Sequence, residues 1–403
     1  MTIQSLKGTR SLYPKDFRAR RALVEGCKDA LERFGYEEYE APILEPLALY
    51  EAKSSAEIIE RQSYTFTDRG GNRVVVRPEL TPSFARMVAN KQSELPSLIR
   101  WYSFADCWRY ERPQKGRTRN FLQLNVDFLG SDSVEADVEI IDVAFSILQS
   151  AGIDMSKIKM QINDRSSFDG VCKTLKIKEE DKNQFLTLLD SRQKISEERF
   201  LSEIRILNPE VCVNDLKYLG EIKASDRLNA VMESVSQLGW TQLVYSPELT
   251  RGFSYYTGIV FEVVETSGQF RRAIFGGGRY GNLLESVGGK PASGVGFGVS
   301  DVALLTALKT QKIEVPTVCP QTVFVIPFSQ KEQQVANKIS KQLREKGKRV
   351  IGAVPPFELK KQLALANRLL VSDVVMVMPD ELKRNEVLWK NLKTGEQRKE
   401  FFC

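Results

Sequence analysis

The chain contains no histidine. This removes a Ser-His-Asp triad, a Cys-His pair, histidine metal ligands and an imidazole general base from the chemistry open to it. Its six cysteines, Cys27, Cys107, Cys172, Cys212, Cys319 and Cys403, are scattered without CxxC spacing. Reduced thiols are therefore expected, and a structural zinc site is not. No apolar run is long enough to span a bilayer, and the opening MTIQSLKGTR lacks the apolar centre of a signal peptide. A cytoplasmic location without a membrane partner is the expectation. A strong charge of one sign is also missing. The 58 basic and 52 acidic residues leave +6, which permits a nucleic-acid partner without requiring one. A length of 403 residues gives room for roughly two to three domains with cores of their own.

What is present is concentrated in residues 107–130, CWRYERPQKGRTRNFLQLNVDFLG. Arg109 and Glu111 lead into Pro113-Gln114-Lys115-Gly116, which turns between Arg112, Arg117 and Arg119. An alternating run from Phe121 to Phe128 follows. The pattern predicts two antiparallel strands joined by a cationic loop. Gln123, Asn125 and Asp127 lie two apart and share one face. Three polar side chains in a row on a packed sheet call for a ligand or solvent beside them, and guanidinium groups bind phosphate oxygens through a bidentate fork. A solvated basic hairpin is the alternative, but the polar row and the basic loop occur together.

Elsewhere, Asp16 can cap a helix from Phe17 to Phe34 that carries Leu23, Cys27, Leu31 and Phe34 on one stripe, with Gly35 as the stop. Val74-Val75-Val76 reads as a strand entering the polar turn Arg77-Pro78-Glu79-Leu80-Thr81. A carboxylate with oxygen acceptors suits an ammonium group there. Residues 132–151 form an amphipathic helix. From about 165 to 245 the texture is short, charged helical pieces with no legible chemistry. Patterning returns at Leu249 to Glu262 and at Phe275-Gly276-Gly277-Gly278-Arg279-Tyr280, where a glycine triplet allows a backbone to approach a ligand closely. After Thr317 strands and helices alternate, implying a small sheet with a parallel centre. No phosphate-binding glycine loop accompanies it.

Residues 107–130 resemble motif 2 of the class II aminoacyl-tRNA synthetases, in the form of the histidine-specific family: ERPQKGR followed by Phe-x-Gln. The block from Arg251 to Glu262, RG-x-x-YYTG-x-VFE, is similar to a peptide of that family and its relatives, and Phe275–Tyr280 resembles its usual companion. The likeness runs from Lys7-Gly8-Thr9-Arg10 into the C-terminal part. It implies an α+β fold, with an antiparallel sheet flanked by helices, a helical insertion and a C-terminal α/β anticodon-binding domain. The implied division is 1–320, with the insertion at about 165–245, and 321–403. The implied activity is histidine–tRNA ligation, using L-histidine, ATP with Mg²⁺ and tRNA(His). The helix followed by Pro42-Ile43-Leu44-Glu45 resembles motif 1, which implies a homodimer. For such an enzyme a histidine-free chain could still be made when histidine is scarce; chance, drift or engineering explains the absence equally well.

Carried over position by position, the resemblance places Arg109 and Arg251 on the α-phosphate as the catalytic cations. Glu111 and Arg117 join Arg109 on ATP, and Phe121 stacks on adenine. Glu79, Thr81 and Gln123 hold the backbone groups of the amino acid, and Asp127, Tyr255 and Tyr256 surround its imidazole. Arg112 and Gln114 are candidates for the tRNA acceptor end, and no metal ligands are implied. The likeness departs at two places. Ala303 stands where motif 3 usually carries an arginine, with Arg279 and Lys309 as candidate replacement cations, and Ser254 stands where aspartate is usual. A subgroup of the family has a GFG-x-G-D form similar to this stretch. The alternative is a non-catalytic histidine sensor similar to the regulatory subunit of ATP phosphoribosyltransferase, which ordinarily lacks the C-terminal domain.

Overall fold

Pro14 stands at the first helical position, where its missing N–H leaves no bond unmade. Helix α1 (Pro14–Arg33) therefore begins before Asp16, which lies in its first turn and caps nothing. Leu23, Cys27 and Leu31 form its buried stripe, and Gly35, at φ +75°, ends it. The structure, a computed structural model, describes residues 3–51, 58–192, 195–250, 255–270, 272–315, 321–355 and 358–402. They belong to two compact units, Met1–Pro316 and Thr317–Cys403.

In the first unit α1 is followed by strands β1 (Glu37–Glu38) and β2 (Leu44–Pro46), helix α2 (Leu47–Glu51), β3 (Tyr64–Thr67), β4 (Arg73–Val76) and α3 (Thr81–Lys91). A long hairpin comes next, β5 (Ile99–Trp108) and β6 (Asn120–Leu129). Ser133 then caps α4 (Val134–Ser150) by accepting the Ala136 N–H. Strand β7 (Ile158–Asp164) leads into α5 (Asp169–Thr174), α6 (Lys182–Ser191) and α7 (Glu197–Leu207). The unit continues through α8 (Asp226–Gln237), β8 (Leu243–Tyr245), β9 (Ile259–Glu265), β10 (Ala273–Tyr280), β11 (Gly294–Ser300) and α9 (Asp301–Thr310).

Among the described residues eight of these strands form one sheet in the order β1-β5-β6-β11-β10-β9-β7-β8. Its pairings are antiparallel except β1–β5 and β7–β8. Strand alternation divides the sheet into two unlike faces. On one face Tyr102, Leu124, Val126, Phe261, Val295 and Phe297 pack with side chains of α1, α4, α8 and α9 into the main core. The opposite face carries Gln123, Asn125 and Asp127, with Gly298 and Gly296 paired beside Asn125 and Asp127. A second apolar cluster, from Phe168 to Ile222, gives the short helices α5, α6 and α7 a core of their own. Leu228, Val231 and Val235 of α8 belong to the main core instead.

The second unit has the sheet order β13-β12-β14-β15-β16. It is built from β12 (Thr322–Pro327), α10 (Gln333–Glu345), β13 (Arg349–Gly352), α11 (Leu359–Arg368), β14 (Asp373–Val377), α12 (Pro379–Leu382), β15 (Glu386–Asn391) and β16 (Gln397–Phe401). Its first three strands are parallel and its last two add an antiparallel edge.

A buried ionic cluster fastens the helices to the main sheet. Arg279 of β10 donates from Nε to Asp137 Oδ1 at 2.8 Å, and Arg227 of α8 reaches Asp137 Oδ2 at 2.6 Å. The Asp137 side chain is fully buried and that of Arg279 nearly so. Removing Arg279 leaves Asp137 with Arg227 as its remaining cation and buries the Oδ1 oxygen without its donor. Arg279→Ala is expected to lower the stability of this unit by about 3–5 kcal/mol, measured by urea unfolding followed by tryptophan fluorescence. A change under 1 kcal/mol would mean that water reaches Asp137.

Candidate active site

The polar face of the sheet forms the floor of a cavity of about 930 Å³. The register explains why the floor is open. Asp127 pairs with Gly296 and Asn125 with Gly298, so the neighbouring strand contributes no side chain. A Cβ on Gly296 would stand 2.5 Å from Asp127 Oδ1, and one on Gly298 2.9 Å from Gln123 Nε2. The glycine triplet works largely through its neighbours. Gly276 lines the cavity, but a Cβ on Gly277 would strike the Gly296 carbonyl and one on Gly278 the Tyr256 ring.

The polar row is tied to its surroundings. Gln123 Nε2 donates to Asn125 Oδ1, and Asn125 Nδ2 donates to Thr81 Oγ1 at 3.0 Å. Tyr280 donates its hydroxyl to Asp127 Oδ1 at 2.7 Å. Asp127 Oδ2 is buried and has no hydrogen-bond partner among the described residues. Burial pushes the Asp127 carboxyl up to about 7, against the opposing hydrogen bond from Tyr280. Burial, reinforced by Asp127, holds the Tyr280 phenol well above its ordinary value, so it stays a donor. Tyr255 and Tyr256 form the adjoining wall, their rings 4.8 Å apart, and the Arg165 guanidinium donates to the Tyr256 carbonyl.

At the other end of the cavity the hairpin loop brings its charges together. Arg109 donates from Nε to the Pro78 carbonyl at 2.8 Å and lies over the Phe121 ring at 5.3 Å. Glu111 accepts from Arg117 Nη1 at 2.6 Å. The N-terminal segment braces this hairpin. Arg10 meets both oxygens of Asp301 at 2.9 Å, and Asp301 Oδ1 also accepts the Leu122 N–H at 3.0 Å. Burial pushes the Cys27 and Cys107 thiols up to about 12, so neither is a nucleophile near neutral pH.

Glu79, Thr81, Arg109, Glu111 and Arg117 all line this one cavity, together with Phe121, Gln123, Asp127, Tyr255 and Tyr256. Arg112 and Gln114 lie outside it, exposed on the hairpin loop. Arg251 lies outside the described residues, as does Ser254. Ala303 is in the cavity wall, but neither candidate replacement cation answers it. Arg279 is on the opposite face with Asp137, and Lys309 is exposed in the last turn of α9. Sequence reasoning missed Tyr280, Arg272, Gln62 and Glu262, which also line the cavity. Tyr280 sits in the glycine-rich block, so parity from Gly276 could have found it. Arg272 had no such signal.

The antiparallel sheet, its charged hairpin and its glycine strand define the catalytic unit of a class II aminoacyl-tRNA synthetase. A family model described as histidyl-tRNA synthetase matches residues 8–304, and an anticodon-binding-domain model matches 322–400. The histidine–tRNA ligase of Leptospira biflexa is 34% identical over 98% of this chain and 95% of its own length. That of Haloarcula marismortui is 33% identical over 98% and 94%. The solved histidyl-tRNA synthetase of Nostoc sp. PCC 7120 superposes with a TM-score of 0.78 at 22% identity, over 100% of this chain and 97% of that one. The chain belongs to the histidyl-tRNA synthetase family.

Asp127 makes the empty site pH-sensitive. Its folded value lies above the unfolded carboxylate range near about 4. The folded protein therefore holds a proton that the unfolded chain has lost, and stability falls as pH rises from about 4 to about 7. Asp127→Asn removes this slope. The ligand-free variant is expected to gain stability over the parent across that window, levelling off above pH 7 at an advantage on the order of a few kcal/mol. Parallel denaturation curves at pH 5 and 8 test it, and an identical difference at the two pH values would refute it.

Proposed function

We infer that the protein is a histidine–tRNA ligase with its catalytic site in this cavity. The observation that carries the reading is the Asp127 carboxylate, held on one oxygen by Tyr280 and open on the other. An imidazole N–H placed there satisfies a buried acceptor, whereas an apolar side chain leaves it unpaired. Polar pockets discriminate strongly by this means. Tyr255 and Tyr256 enclose the ring, and Glu79, Thr81 and Gln123 hold the ammonium and carboxylate of the amino acid.

In the first step a histidine carboxylate oxygen attacks the α-phosphorus of ATP. A P–O bond forms to the carboxylate, the bond to the β-phosphate oxygen breaks, and pyrophosphate leaves. In the second step a terminal ribose hydroxyl of tRNA(His) attacks the activated carbonyl, the bond from that carbonyl to the phosphate oxygen breaks, and AMP departs with the hydroxyl proton passing to its phosphate. The chain has no imidazole to act as a base, so the protein works through placement and charge. Arg109 holds the α-phosphate, with Arg251 assigned by resemblance to its other side. Glu111 and Arg117 engage ATP, and Phe121 stacks on adenine. Arg112 and Gln114, exposed beside the cavity, meet the tRNA acceptor end.

Among the described residues no three metal-ligating side chains gather; in this reading Mg²⁺ enters bound to the nucleotide substrate. No helix among them is long and apolar enough to cross a membrane, and the cytoplasm is the compartment proposed. Residues 1–320, with the insertion at about 165–245, form the catalytic part in this reading, and 321–403 read the anticodon. A homodimer through the motif 1 region completes it. The rival reading, a histidine sensor without catalysis, is disfavoured by the match of 322–400 to an anticodon-binding domain.

ATP–pyrophosphate exchange measured with each amino acid in turn tests the function. Histidine alone is expected to drive it; histidine binding without exchange would establish the sensor. Asp127→Asn is expected to raise the KM for histidine roughly 10- to 150-fold, the span of a hydrogen bond to a charged group, with the KM for ATP nearly unchanged. An unmoved histidine KM would remove Asp127 from the pocket.

A further inference from the structure

The turn between β9 and β10 is pressed against the loop of the β5–β6 hairpin. Lys115 Nζ donates to the Gln269 carbonyl at 3.0 Å. Gly116, at φ +80°, leaves room for Phe270, whose ring would stand 2.6 Å from a Cβ there. Phe270 is buried and belongs to the main core cluster. Two residues further on, Arg272 lines the same cavity as Arg109, Glu111 and Arg117.

The three arginines differ in their commitments. Arg109 is held by the Pro78 carbonyl and Arg117 by Glu111. Arg272 is exposed and makes no hydrogen bond or ion pair among the described residues. Its charge is opposed by partial burial first and then by Arg117, with only Glu111 in its favour. The cavity lining also carries Glu79, Glu111, Asp127, Asp190 and Glu262, so what marks Arg272 is its uncommitted guanidinium fork, which suits a phosphate group. The start of α9, at Val302 and Ala303, adds no cation to this wall.

We propose that Arg272 is a substrate-binding residue of the adenylation step. It holds the phosphate chain of ATP from the β9–β10 side, in the cavity it lines with Arg109 and Arg117. It thereby supplies the cation that α9 lacks. The proposal rests on the reading of this cavity as the ATP site. It also gives the packing of Phe270 on Gly116 a purpose, because that contact fixes the distance between the Arg272 turn and the arginine loop.

The test uses the full-length chain with Arg272→Gln and Arg272→Lys. In histidine-dependent ATP–pyrophosphate exchange, Arg272→Gln is expected to raise the KM for ATP about tenfold or more, the scale of one charge-assisted contact. The KM for histidine stays within about twofold, since the loss falls on one substrate. Arg272→Lys falls between, because it keeps the charge but loses the fork. An ATP KM within about twofold of the parent in Arg272→Gln overturns the proposal and leaves the ligase reading intact. Equal rises in both KM values overturn it as well, by assigning Arg272 a purely structural role. Equilibrium binding of MgATP to the three proteins reads the same contact without turnover. It decides the role of Arg272 even where the parent chain shows no exchange, the result that would defeat the ligase reading itself.

Discussion

Strand β6 serves two environments at once. Leu124, Val126 and Phe128 enter the main core, while Gln123, Asn125 and Asp127 face the cavity. A carboxylate in that position is costly unless its surroundings supply donors and leave it space. The space comes from β11, where Gly296 and Gly298 stand opposite Asp127 and Asn125. The donor comes from Tyr280, on the next strand over. Three adjacent strands therefore carry interdependent residues. A side chain on Gly296 would collide with the Asp127 carboxylate, and losing the Tyr280 hydroxyl would leave both of its oxygens unmet.

The opposite face of the sheet makes this arrangement stable enough to keep an open floor. The polar row and its glycine neighbours contribute little packing of their own. The compensating burial lies against α1, α4, α8 and α9 and in the Asp137 cluster with Arg279 and Arg227. At the cavity mouth the charged hairpin is braced from two sides. Asp301 joins Arg10 to the Leu122 backbone, and Phe270 fills the space left by Gly116. A site that works by placing charges needs its cations fixed before the substrate arrives, and these contacts fix the hairpin that carries them.

Local patterns were legible where a feature depends on neighbours in the chain. The alternation of Gln123, Asn125 and Asp127 revealed a polar face, and the βα alternation after Thr317 revealed a mixed sheet. The start of α1 was misplaced because Asp16 resembled a cap while Pro14 already fitted the first turn. Arg279 was read as a candidate to replace the motif 3 arginine missing at Ala303. One residue of strand parity sends it to the other face, where Asp137 waits 142 residues away in sequence. The triplet itself looked like a place for a ligand, yet much of its space is taken by Tyr256, Phe297 and the Gly296 carbonyl.

The amino-acid sequence by itself determined the kinds of chemistry available: no imidazole, no paired thiols, a basic hairpin, a polar row and the motifs of one family. These follow from residue type and short-range spacing, and both survive in one dimension. Tertiary structure alone decided which strand lies beside which. It thereby decided that Asp127 faces a glycine, that Tyr280 meets one of its oxygens, and that Arg272 shares a cavity with Arg117. Those relations join residues separated by roughly 150 positions. They come from sheet order and register, which are set by burying one whole face at once and which no local pattern encodes.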